Sequence, residues 1–356
     1  MANILCLCSE PSGDRLLATF LEGFRRSGHS VRGVGGPLSI DAGLDAIAHI
    51  DSLSATGLVE ALGSIPAHVM IFYRVLAHLD WADAVFIVDS PELGVRLIGR
   101  ARRAGKRIAY LAPPQAWAWR PWRASVLKNC NWVGCLFDFE RDWFASRGVD
   151  AVCVGHPALA DTKPLQPGDR RQLALLPGSR TAPIARMLPI FIKAAVRLFQ
   201  ADLIDGVHLG LREGTRLPPD LESMLDEHSF IKRAHDAHNA LASSGVALAH
   251  FGTITLDAVL AGRPVVAAGC VHPMSYALVK PFVRTRYFAL PNLILGRRGF
   301  PELVQGECKP GRLAEEFGYL LSRFEQAYGA CLDVRGTMGF CKDTATVSVL
   351  TALQLD

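Results

Sequence analysis

Asn3-Ile4-Leu5-Cys6-Leu7-Cys8-Ser9-Glu10-Pro11-Ser12-Gly13-Asp14 is an apolar run broken by a small polar turn, and the helical pattern directly after that turn decides the fold. From Arg15 to Arg26 the residues Leu16, Leu17, Phe20, Leu21 and Phe24 share one helical face, with Gly28 as a stop. An apolar strand, a turn and an amphipathic helix in direct succession form the opening unit of a parallel sheet covered by helices. The same alternation predicts strands at 31–34, 84–88, 107–111, 132–137 and 151–154. It pauses at His156-Pro157 and at the polar, Pro-rich stretch 161–169, which reads as a linker. It then restarts, with strands at 172–176, 207–211, 246–249 and 264–268 and helices at about 184–200 and 254–260. The expected fold is α/β, with two Rossmann-like parallel-sheet domains at 1–160 and 170–330 and a helical tail at 331–356.

Composition agrees with two domains. The chain has 356 residues, 50% of them hydrophobic and 20% charged, which is too long for one typical core and too apolar for disorder. A net charge of +4 does not call for nucleic acid as a partner. The charge is unevenly spread: between Arg96 and Arg147 many Lys and Arg face only Asp138, Glu140 and Asp142, so either an anionic partner or solvated helix faces would account for the excess. Nine scattered cysteines without a Cys-x-x-Cys pair read as reduced core residues and give neither a disulfide framework nor a zinc site. The N-terminus runs straight into a strand without a basic leader, so a cytoplasmic location is expected. No apolar run is long enough to span a bilayer, and any membrane contact is expected to be peripheral.

In open parallel sheets ligands bind beyond the carboxyl ends of the strands, so the residues just after each apolar run matter most. Glu10, Ser12 and Gly13 follow the first strand and open a helix whose N-terminus suits an anion; a simple helix cap at Ser12 or Asp14 is the plainer reading. Asp89 follows 84–88, where a partly desolvated carboxylate can accept a proton from a hydroxyl, although Asp also caps helices. After 107–111 comes Pro114-Gln115-Ala116-Trp117-Ala118-Trp119-Arg120, a stiff loop whose indoles fit either a sugar ring and acyl chain or a buried interface. In the second half, Gly178, Ser179 and Arg180 follow one strand, and Gly252 and Thr253 open a helix carrying Asp257. Together these read as a pyrophosphate cradle with a carboxylate for ribose hydroxyls.

These segments, in this order, resemble the lipid-A-disaccharide synthases, glycosyltransferases of the GT-B architecture in which two Rossmann-like domains face a central cleft. The resemblance is carried by 9–14, 33–37, 57–63, Val-Asp-Ser-Pro-Glu at 88–92, the tryptophan loop at 114–120, Val-Gly-His-Pro at 154–157, Leu-Leu-Pro-Gly-Ser-Arg at 175–180, 252–257 and Leu-Pro-Asn-Leu at 290–293. It departs from the family at Phe251, where the family has Ser, and at Asp257, where it has Glu. The resemblance implies inverting transfer of 2,3-diacylglucosamine from its UDP derivative to 2,3-diacylglucosamine 1-phosphate. It implies Asp89 as general base; Gly178, Ser179, Arg180, Gly252, Thr253 and Asp257 around the nucleotide sugar; and Glu10, Ser12, Gly13, Gln115, Trp117, Trp119, Arg120 and Asn292 around the acceptor. No metal or other cofactor is expected. The implied setting is the cytoplasmic leaflet of the inner membrane, with the tail returning to the first domain or joining a homodimer. A helix at 65–79, apolar almost all round, is either buried or lipid-facing. The alternatives are another GT-B enzyme using UDP-GlcNAc, of the peptidoglycan transferase or 2-epimerase type, and a catalytically reduced protein that binds nucleotide sugar or lipid.

Overall fold

Parallel pairing organises both halves of the chain. The computed structural model describes residues 1–53, 58–161, 166–178, 181–339 and 342–355. Seven strands, β1 (Asn3–Cys8), β2 (Ser30–Gly35), β3 (Asp45–His49), β4 (Ala84–Val88), β5 (Arg107–Leu111), β6 (Trp132–Cys135) and β7 (Val152–Cys153), form one sheet in the order β3-β2-β1-β4-β5-β6-β7. Six more, β8 (Gln172–Leu176), β9 (Gly206–Gly210), β10 (Ile231–Ala234), β11 (Val246–His250), β12 (Val265–Gly269) and β13 (Glu302–Val304), form another in the order β10-β9-β8-β11-β12-β13. Both are doubly wound, with the order reversing beside the first strand of each sheet. The central strands β1, β4, β8 and β12 are almost entirely buried because helices cover both faces, which is why they read as unbroken apolar runs.

Three strands were not predicted: β3, β10 and β13. All three lie at sheet edges, and their sequences, Asp-Ala-Ile-Ala-His, Ile-Lys-Arg-Ala and Glu-Leu-Val, are short and mixed in polarity. An edge strand has one bonded neighbour and a thinner cover, so it lacks the apolar run that announces a central strand. The first helix runs from Pro11 to Arg26 and starts earlier than its apolar face. Pro11 pre-sets the first turn, and extended Glu10 is the N-cap in place of the predicted Ser12 or Asp14.

The chain divides into two units, Met1–Pro157 with Gly339–Asp356, and Ala158–Met338. Part of the predicted linker, 162–165, lies outside the described residues. After Met338 the chain rejoins the first unit, where helix Lys342–Ala352 packs on helix Pro11–Arg26. The approach is close because position 23 is glycine: a Cβ there would sit 2.5 Å from Thr346 Cγ2. Val349, Leu350 and Leu353 are buried in the first core, and Trp132 Nε1 donates to Ser348 Oγ at 3.0 Å. The last helix is therefore part of the first unit's core. Leu353→Ala should destabilise that unit by about 2–4 kcal/mol, the usual cost of emptying a buried leucine site, measured by denaturant unfolding. A loss below about 0.5 kcal/mol, typical of surface positions, would show that the tail is only loosely attached.

Candidate active site

In the first sheet the order reverses between β1 and β4, so their connections diverge and leave a crevice at the carboxyl ends. Cys8 is paired with Val88, and Ser9 and Asp89 leave the sheet as neighbours. Asp89 turns sharply, with φ +42°, a left-handed conformation that Asp tolerates better than most residues, and its N–H donates to Leu111 O at 3.1 Å. Ser12 Oγ donates to Asp89 Oδ2 at 2.6 Å, and Ser9 Oγ lies 2.8 Å from Ser90 Oγ. Gly13 lets the helix come this close: a Cβ on it would lie 3.1 Å from both Asp89 Cβ and Val88 O. Half-buried Glu10 sits at the same turn. Asp14, 2% exposed, points the other way and accepts bonds from Gly36 N, Leu38 N, Ser39 N and Ser39 Oγ at 2.5–3.1 Å, tying segment 9–14 to the 36–39 turn.

The loop after β5 carries two further left-handed non-glycine residues, Ala112 at φ +50° and Arg120 at +52°. Strained backbone of this kind concentrates where a fold holds side chains for function. Gln115 is exposed, and its carbonyl accepts from Ala118 N and Trp119 N. Trp117 turns inward: its Nε1 donates to Glu140 Oε1 at 3.1 Å and its ring meets Phe139 edge-on at 5.1 Å. Trp119 lies against the guanidiniums of Arg120, at 4.3 Å, and Arg123, at 5.4 Å. Thus Trp119 and Arg120 share one side of the loop, while Trp117 anchors it.

Glu140, Glu92 and Arg123 belong to this constellation; the sequence placed Glu92 in the family-like segment 88–92 and Arg123 and Glu140 in the charged stretch 96–147, without assigning any of them to the site. Glu140 is 5% exposed and also accepts from Leu136 N at 3.2 Å. Burial pushes its carboxyl up to about 7, against the hydrogen bonds from Trp117, Leu136 and Phe137, and the charge of nearby Asp89 adds to the rise. An acid flanked by Asp138, Arg141 and Asp142 on a short helix carries no sign of its own burial in the sequence, which is why it reads as solvated.

In the second sheet the order reverses between β8 and β11, and the two glycine turns follow these strands. Gly178 has φ +110°, and a Cβ on it would lie 3.8 Å from the His250 ring, so the two turns adjoin. Ser179 and Arg180 lie outside the described residues. Gly252, at φ +143° and ψ −168°, occupies a region open essentially to glycine alone and caps helix Thr253–Leu260. Asp257 stands one turn beyond Thr253 on the same helical face and is half-buried. Burial lowers the pKa of His250, which favours the neutral imidazole beside the cradle.

Asn292 is the one expected acceptor residue outside the first unit. It is 0% exposed in the second unit; its amide nitrogen donates to Phe300 O and Glu302 Oε1, and its oxygen accepts from Gly299 N and Phe300 N. These four bonds hold the approach to β13 and engage both polar atoms of the amide.

The Glu140 environment has a measurable consequence. A carboxyl whose folded pKa exceeds its unfolded value holds its proton longer in the folded state, so this stability contribution falls as pH rises from about 4.5 to about 7. Glu140 should cost about 3 kcal/mol at pH 8 relative to pH 5, and Glu140→Gln should lack that component. Denaturant unfolding of both proteins between pH 5 and 8 checks this; parallel pH profiles would assign the proton elsewhere.

Comparisons with known proteins bear on what these turns serve. The family model described as lipid-A-disaccharide synthetase matches residues 4–338. A lipid-A-disaccharide synthase of Azotobacter vinelandii is 34% identical over 346 residues, 88% of this chain and 89% of that protein. One from Anaeromyxobacter sp. is 32% identical over 360 residues, 95% and 93% of the two chains. Among solved structures, Acinetobacter baumannii MurG superposes with a TM-score of 0.60 at 14% identity, covering 99% of each chain. A UDP co-structure of S. aureus MnaA gives 0.67 at 11%, covering 100% of this chain and 98% of that one. At such identities these structures establish the GT-B fold alone, which transferases and epimerases share. The match running along nearly the whole sequence is what separates the chain from its structural neighbours: it belongs to the lipid-A-disaccharide synthase family.

Proposed function

We propose that this chain synthesises the lipid A disaccharide by inverting transfer of diacylglucosamine from its UDP derivative to diacylglucosamine 1-phosphate. The observation that carries the reading is Asp89, held by Ser12 at the carboxyl-end crevice of the first sheet, within the Val-Asp-Ser-Pro-Glu segment typical of the family. The acceptor 6-hydroxyl oxygen attacks the anomeric carbon of the donor, and its proton passes to the Asp89 carboxylate. The bond from that carbon to the UDP oxygen breaks, and the electron pair leaves on the diphosphate. The backbone N–H groups at Gly252 and Thr253, at a helix N-terminus, stabilise the negative charge that develops there, with Arg180 as the assigned cation and Asp257 on the ribose.

The two roles separate experimentally. Asp89→Asn should lower kcat by about 10²- to 10⁴-fold, the usual contribution of a general base, while UDP affinity stays unchanged. Gly252→Ala should weaken UDP binding about tenfold, because the side chain forces the turn out of its conformation. Intact turnover in Asp89→Asn would remove this residue from the chemistry. Product analysis separates this reading from epimerisation, which releases no disaccharide.

Acyl substrates imply work at a bilayer, and helix Leu58–Ala77 supports this. Among its described side chains Ile71 and Val75 are buried in the core, whereas Val69, Met70 and Tyr73 are exposed, Tyr73 by 67%. The helix therefore has two apolar faces, one inward and one toward solvent, and we assign the outer face to the cytoplasmic leaflet. Among the described residues no helix is long and apolar enough to cross a membrane. Met70→Asp combined with Tyr73→Asp should abolish sedimentation with phospholipid vesicles while the protein stays folded. Undiminished sedimentation would exclude this face.

A further inference from the structure

We infer that the cavity lined by Glu92, Arg96, Arg120, Trp122 and Arg123 is the subsite for the phosphate monoester of a sugar phosphate, the inference resting on the proposed acceptor chemistry. The cavity measures about 480 Å³ and lies wholly in the first unit. Among the described residues, three guanidiniums line it against one carboxylate. Arg123 is 3% exposed; its Nη2 bonds Glu92 Oε1 at 2.5 Å, and Arg120 Nη1 reaches the same oxygen at 3.4 Å. Arg123 Nε is buried and has no hydrogen-bond partner among the described residues. The buried Arg123 guanidinium beside two exposed arginines, against one carboxylate, leaves a net positive charge that an additional anion would balance.

The charge and the position identify the anion. The excess of two positive charges matches a phosphate monoester, which carries about −1.5 to −2 near pH 7, better than it matches a carboxylate. Arginine forks suit phosphate oxygens, and Trp119 backs both Arg120 and Arg123, limiting their rotation. Pro91 also lines the cavity, two residues past Asp89, and Arg120 ends the tryptophan loop. The pocket thus flanks the segment that carries the base. A sugar whose hydroxyl meets Asp89 places its anomeric phosphate here, so Arg96 and Arg123 become specificity residues for a phosphorylated acceptor.

The test measures binding of glucosamine 1-phosphate, glucosamine and inorganic phosphate to the full chain by ³¹P NMR and calorimetry. Wild type should bind glucosamine 1-phosphate more tightly than either of the others. Arg96→Gln should weaken it about tenfold, the effect of one lost charge-assisted hydrogen bond, and Arg100→Gln, on the same helix (Leu93–Arg103) but outside the cavity, should not. No binding by wild type, equal binding by Arg96→Gln, or equal affinity for inorganic phosphate would each overturn the assignment. In turnover assays Arg96→Gln should raise KM for the phosphorylated acceptor alone, leaving kcat and the donor KM as they were; an equal rise with a dephosphorylated acceptor would also overturn it. If wild type makes no disaccharide, the proposed reaction fails, while the binding measurements still decide the subsite.

Discussion

The close parallel pairing of β1 with β4 is the constraint on which the first unit depends. It puts Cys8 beside Val88, so the two chains leave the sheet together and the next side chains along each must share one small space. Gly13 allows that space to close, Ser12 fills it with a hydrogen bond to Asp89, and Asp14 turns away to hold the neighbouring 36–39 turn. One tight helix start thus positions a candidate base and braces the adjacent strand connection. The same rule acts again where β8 pairs with β11 and brings the turns at Gly178 and Gly252 together. Two copies of one topological feature suit the two different chemistries proposed for them, proton transfer and diphosphate binding, because different residues follow the strands.

The surroundings of Asp89 are organised by less conspicuous groups. Glu140 fixes Trp117 from inside, and Glu92 gathers Arg120 and Arg123 at the far end of the same loop. Buried Glu140 and buried Arg123 both cost desolvation, and each offsets part of that cost by orienting a loop with strained backbone. Polar groups placed in this way specify one loop conformation, where a wholly apolar packing would leave several of similar energy. Asn292 does comparable work in the second unit, where its amide holds the approach to β13 from within a family-like segment.

Two parallel sheets, their central strands and the residues at the strand ends are legible in the amino-acid sequence. Apolar runs are a direct record of burial on both faces, and small or acidic residues at their ends are a direct record of the crevice. Family membership was legible from the same segments, because each strand-end turn is contiguous in the chain. The edge strands β3, β10 and β13 were not legible, since a strand with one neighbour carries no continuous apolar signal. Tertiary packing alone turns Trp117 and Asn292 inward, buries Glu140 and brings Arg96, Arg120 and Arg123 to one cavity. The direction and charge environment of a polar side chain depend on residues distant in sequence, and those neighbours exist only once the strands are paired.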